Sequence, residues 1–234
     1  ETLWLSDKAK NNRSNIIWVD LNILPQKGRT IGGHIVSIDN TIPSGFQSSC
    51  NPNLLLNLNH TDFKKKYPFS TLLFLMWLHN IYPPNELTAR MLTVHADAVW
   101  LKYQHYNENI VNWTELLEDY DWNKIIKGID TKIFEKRIDQ LLYPTLINMG
   151  AVSSKSKLKG VYFNTQCRQY QCNPDWDEDI ILDLFNLFGN IFHWSPPEIP
   201  NITTVLHGKR KKISISKVRD IGLDKFINKN KVFS

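Results

Sequence analysis

Three aspartates stand where an α/β sequence places its chemistry. Asp20 closes the β-branched run "NIIWVDLNI" (Asn15–Ile23), Asp39 closes "HIVSID" (His34–Asp39), and Asp97 lies in "VHADAV". Ligands of open parallel sheets gather beyond the carboxyl ends of the strands, which is where Asp20 and Asp39 fall. Grouped carboxylates repel one another unless a cation neutralises them, and hard oxygen donors suit Mg²⁺ or Mn²⁺. The competing reading is that each aspartate merely caps a strand or a helix. His34 and His95 are the nearest imidazoles; a packed, hydrogen-bonded role competes with a ligand role for both. A second candidate site is the basic stretch "HGKRKKISISKVR" (His207–Arg219). On a strand, Lys209 and Lys211 would face away from Arg210 and Lys212. In a loop, all four could reach one phosphate backbone, giving affinity without sequence readout and a steep dependence on salt. A solvated basic face or a subunit contact is the plainer alternative.

The elements that must position these residues follow from pattern. Asn15–Ile23 reads as a buried strand and His34–Asp39 as a second, with enough chain between their aspartates for a parallel pair. "DNTIPSG" is the loop beyond. "KYPFSTLLFLMWLHNIY" (Lys66–Tyr82) reads as a buried helix, with Pro68 in its first turn and Pro83–Pro84 as its stop. A second helix runs from Asn85 to Tyr106, and its pattern allows a break near His95–Asp97. Helical spacing continues over residues 112–150, where Gly150 suits a C-terminal stop. "AVSSKSKLKG" (Ala151–Gly160) is small, polar and basic, the composition of a linker. Beyond it "GVYFNT" is strand-like, "DWDEDIILDLFNLFG" is a helix with acids in its first turn, and "TTVLHG", "KRKKISIS" and "KVRDIGLDKFINK" complete a βαββα order. The expected fold class is α/β: a parallel sheet with a helical arm over residues 1–152, and a smaller basic α/β module over 153–234.

Composition limits the function classes. The 234 residues are 42% hydrophobic and 22% charged, the balance of an ordinary globular chain. The longest apolar run, Phe69–Leu78, is about half of a membrane span, so no membrane partner is expected. The N-terminus lacks the charged-then-apolar order of a signal peptide, and an intracellular protein is the expectation. Cys50, Cys167 and Cys172 have no framework spacing and read as reduced thiols. The net charge of +5 is concentrated at one end, with nine Lys/Arg against Asp220 and Asp224 in residues 200–234. Such a tail suggests a polyanionic partner. Motifs for a Walker A loop, a dinucleotide fingerprint or a nucleophile elbow are absent.

The order of these pieces adds a resemblance. A strand ending in "VD", a later "SIDNTIPS", then "CNPN", a helix and "HAD" resembles the DHH phosphoesterase superfamily, with RecJ-type nucleases the nearest comparison. The resemblance covers residues 15–100. It implies a metal-dependent phosphodiesterase with Asp20 and Asp97 on Mn²⁺ or Mg²⁺, Asp39 behind them, and Asn51–Asn53 in the loop that follows. The C-terminal module would then hold the substrate. Where the family carries two histidines after its aspartate, this chain has Asn40 and Thr41. The family's His-x-x-x-Asp-x-Asp motif is not found, so activity would need it from upstream of Glu1 or from a partner chain. Two functions are therefore expected in competition. One is a divergent phosphoesterase or nuclease acting on a phosphate-bearing substrate. The other is a non-catalytic subunit that binds nucleic acid, or joins a protein assembly or homo-oligomer, on the same scaffold.

Overall fold

Alternation and turn chemistry divide the chain more finely than its hydrophobic runs suggest. The computed structural model describes residues 2–7, 11, 16–22, 29–117, 120–151, 163–166, 169–172, 178–199, 201–207, 209 and 211–230. They fall into two units, one made of residues 1–71 with 200–234, the other of residues 72–199. The expected boundary at 152 falls within the second of these spans. The proposed linker, apart from Ala151, lies outside the described residues.

In the first unit, β1 (Thr2–Ser6) pairs antiparallel with β7 (Ile202–His207), Thr2 opposite His207. A three-stranded parallel sheet runs β2 (Ile17–Val19), β3 (Arg29–Ile31), β4 (Ser49–Cys50) in that order. The parallel sheet was expected, but its second strand is not His34–Asp39. Arg29–Ile31 takes that place, and residues 34–39 run outside the strands until Ile38 bridges back to Thr41. The reason is the Asp39–Asn40 pair. Both residues have positive φ, 50° and 62°, the requirement of a two-residue I′ turn, and Asp and Asn tolerate that region well. Thr41 N donates to Ile38 O at 2.8 Å and Ile38 N to Thr41 O at 3.2 Å, closing the turn. The first strand is also shorter and wetter than expected: Ile17 and Val19 are 53% and 55% exposed. Trp18, Thr30 and Ser49 lie opposite one another on the sheet's other face, where Thr30 is buried.

After a 3₁₀ turn at Ser44–Ser48 and another at Pro52–Leu56, the unit is completed by α8 (Ile215–Ile221) and α9 (Leu223–Asn230). Gly222, at φ 85°, separates these two helices. Phe46 and Ile227 form a buried cluster against Val36, Leu54 and Leu223, so the loop beyond β3 and the last helix share one core. The expected strand "KRKKISIS" is not formed: residues 211–214 are irregular and lead into α8. Ser214 ends the extended run by capping α8, its side chain accepting from Lys217 N at 3.4 Å.

The second unit is mainly helical. Its helices are α1 (Thr71–Leu78, whose first residue belongs to the first unit), α2 (Leu87–His95), α3 (Val99–His105), α4 (Asn107–Leu116), α5 (Trp122–Ile126), α6 (Phe134–Asn148) and α7 (Glu178–Phe192), with the hairpin β5 (Phe163–Gln166) and β6 (Gln169–Cys172). Leu73, Phe74 and Met76 of α1 are buried. The helix stops at Asn80 rather than at the prolines. Asn80 has φ 51° and Ile81 N reaches back to Met76 O at 2.8 Å, a left-handed cap that leaves Pro83–Pro84 outside. Gly150, at φ 71°, ends α6 in the same way, with Ala151 N on Leu146 O. Stripes at helical spacing supply the core: Phe134, Ile138, Leu142 and Leu146 from α6, with Trp100, Ile110 and Trp113 from neighbouring helices. No helix among the described residues is long and apolar enough to cross a membrane.

Candidate functional site

The carboxyl ends of the three parallel strands in the first unit converge on a polar network. β2 leads into Asp20, Leu21 and Asn22; β3 into Gly32, Gly33 and His34; β4 into Asn51, Pro52 and Asn53. Asn22, 1% exposed, accepts from His34 N at 2.9 Å and from Asn51 Nδ2 at 3.1 Å through its Oδ1. Asn51 Nδ2 also donates to His34 O at 2.8 Å, while its Oδ1 takes Asn53 N and Asn53 Nδ2, each at 3.0 Å. Asn53 then donates to Gly33 O at 2.9 Å and accepts from Tyr67 N at 2.7 Å. Ser49 Oγ donates to Asn22 O at 3.0 Å. Three asparagines thus fasten three strand ends together. A Cβ on Gly32 would stand 2.3 Å from Asn22 Oδ1, so the network requires glycine there. Asn22 Nδ2 is buried with no hydrogen-bond partner, a desolvated donor that costs about 1–3 kcal/mol. Sequence reading picked out Asn51–Asn53 only through the resemblance and missed Asn22. The available signal was an Asn within three residues of a strand end in both "VDLN" and "SSCN".

Around this network the structure places the expected residues as follows. Asp20, exposed and at φ 63°, follows β2 and accepts from Thr71 Oγ1 at 2.7 Å. Asp39, in the I′ turn, is held by Arg219 of α8: Arg219 Nη2 donates to Oδ1 at 2.5 Å and Nε donates to Oδ2. This fork is the bidentate geometry that suits guanidinium and carboxylate. Hydrogen bonding from Arg219 is the main reason the Asp39 carboxyl sits below its usual range, with the charge of Arg219 and of His60 adding to it. His60 lies 3.7 Å from Asp39 Oδ1, and its Nδ1 accepts from Asp39 N at 3.4 Å. Asp39 therefore already has a cation, supplied by the chain. Asn40 Oδ1 accepts from Asn59 Nδ2 at 3.1 Å.

Asp97 belongs to the second unit. It and Ala98 have φ 53° and 50°, and together they break the helical run between α2 and α3, close to where the sequence allowed it. His34 is exposed, and its backbone rather than its ring joins the asparagine network. His95 is 9% exposed and stacks on Phe134, ring centroids 6.3 Å apart. Burial pushes its imidazole down to about 4, against a smaller opposing effect of Asp139. It is a neutral, packed side chain at pH 7. Among the described residues, no group of three His, Cys, Asp or Glu side chains is arranged to hold a metal ion. Asp39 is engaged by Arg219 and so is not presented as a donor to Mn²⁺ or Mg²⁺.

The basic stretch is placed differently. Lys209, Lys211 and Lys212 are exposed, and Arg210 lies outside the described residues. Lys211 and Lys212 line a cleft of about 330 Å³ together with Lys217 of α8 and Lys229 of α9. Ile213, Ile221 and Phe226 form its apolar part, and none of the described residues that line it is acidic. Lys217 lies in the expected basic stretch without having been singled out, and Lys229 was missed, because only the bend at Gly222 brings the two helices round one hollow. The chain matches no family model, no curated protein and no solved structure.

Proposed function

We propose that the chain is a non-catalytic nucleic-acid-binding subunit that holds the phosphates of its ligand with the lysines of its C-terminal segment. The observation that carries this reading is the gathering of Lys211, Lys212, Lys217 and Lys229 around one cleft, with no acid among the described residues that line it. Ammonium groups on flexible stems act as point charges. They favour a polyanion over a single carboxylate and read no sequence. Binding of a labelled single-stranded oligonucleotide, followed by anisotropy, tests it. Four phosphate contacts on a single strand give a slope of log K against log salt of about −2.8, or roughly a fifty-fold loss between 50 and 200 mM. Replacing Lys217 and Lys229 by Ala should halve that slope. Binding that ignores salt, or no binding, refutes the reading.

A metal-dependent phosphoesterase of DHH type is the second reading. What favours it is Asp20 at the carboxyl end of a parallel strand, the position where such sheets bind ligands. It asks Asp20 to hold Mn²⁺. Calorimetric titration should then give micromolar binding that Asp20→Ala abolishes, and an isotherm without heat removes this reading.

A further inference from the structure

We propose that the lysine cleft is a binding site for a nucleoside triphosphate, taken up without a divalent metal. The inference rests on the reading of this surface as phosphate-binding and narrows it to one ligand class. The cleft's walls come from three pieces. The irregular segment before α8 gives Lys211 and Lys212; α8 gives Lys217 and Ile221, four apart and so on one face; α9 gives Phe226 and Lys229. Gly222, at φ 85°, sets the angle between the helices.

Size and charge decide between ligands. A volume of about 330 Å³ lies at the small end of the ~300–1,000 Å³ typical of small-molecule sites. It has room for about one nucleotide. A strand carries one phosphodiester charge per nucleotide, so four ammonium groups round this hollow would meet four successive nucleotides, three of them outside it. A nucleoside triphosphate brings about four negative charges, because its terminal phosphate loses its second proton near pH 6. Charge balance therefore favours the triphosphate. The apolar part formed by Ile213, Ile221 and Phe226 offers its base a surface that inorganic triphosphate cannot use. None of the described lining residues is a carboxylate, so the lysines, and not a Mg²⁺ bridged to the protein, neutralise the phosphates.

Anisotropy of a fluorescent nucleoside triphosphate on the full chain, in EDTA, tests this. Saturable binding is expected, about a hundred-fold tighter than for the matching monophosphate. Lys217→Glu and Lys229→Glu should each weaken it at least ten-fold; both side chains are exposed, so circular dichroism should show each variant folded. Added Mg²⁺ should weaken binding by competing for the phosphates. Inorganic triphosphate that competes as well as the nucleotide overturns the proposal, as does binding that survives both charge reversals. An oligonucleotide that binds while the triphosphate does not also overturns it, but leaves the nucleic-acid reading standing. Failure of both ligands sinks both.

Discussion

His95 offers the sharpest test of the electrostatics. Its imidazole lies inside the second unit, stacked on Phe134, and burial lowers its pKa from 6.5 to about 4. In the unfolded chain it would titrate near 6.5. Between those two values the unfolded state binds a proton that the folded state refuses, so folding stability falls as pH falls through this window. Above pH 6.5 the residue is neutral in both states and costs nothing. By pH 4 most of the penalty is present, and at about 1.4 kcal/mol per pH unit it approaches 3 kcal/mol. That is a large share of the roughly 5–15 kcal/mol that holds a domain folded. His95→Leu keeps an apolar body of similar size and removes the titration. Urea unfolding of both proteins at pH 7 and pH 4 isolates the effect, because every other titrating group is common to the two. The wild type should lose about 3 kcal/mol more than the variant across that interval. Equal losses, or a His95 proton resonance titrating near pH 6.5, would refute the burial argument. A resonance shifted by Mn²⁺ at stoichiometric amounts would return His95 to the ligand role.

Two further predictions concern the first unit. Gly32→Ala forces a Cβ to within 2.3 Å of Asn22 Oδ1 and 2.9 Å of Leu21 O; it should destabilise the unit by about 1–3 kcal/mol, as overpacking does, and a thermal melt that does not move would show the network to be loose. The Asp39 carboxyl should titrate below 3.8 by carbon-detected NMR and return towards 3.8 in Arg219→Ala, since the guanidinium is the main cause of its shift. The pair's contribution is present above pH 3.8 and is lost as pH falls through the lowered value; identical titrations in the two proteins would break the assignment.

How much of this was legible depended on whether a signal was local. Gly150 and the break at Asp97 could be read because the residues that end a helix sit at its end. A mixed α/β chain with a parallel sheet could be read from its β-branched runs. The position of the second strand could not, because "HIVSID" alternates well enough to pass for one, and only the positive φ of Asp39 and Asn40 turns it into a loop and hairpin. Pro83–Pro84 drew attention from Asn80, which ends the helix with its own left-handed backbone. Residues joined across long stretches of chain were beyond sequence reasoning. Asp39 meets Arg219 and Ser44 N meets Asp224 Oδ1, each pair 180 positions apart. Nothing near Asp39 announces that its cation comes from the protein.

The first unit is assembled from both ends of the sequence, and this has a consequence for synthesis. Among the described residues β1 pairs with β7, and Phe46 packs on Ile227 of α9. Residues 72–199 are made in between. At the usual ~5–20 residues per second, β1 waits on the order of ten seconds beside the ribosome with an unpaired edge, while the helical unit can already fold. Slower translation, or a chaperone that covers strand edges during that interval, should raise the yield of native protein, whereas placing residues 200–234 ahead of β1 by circular permutation would remove the wait altogether.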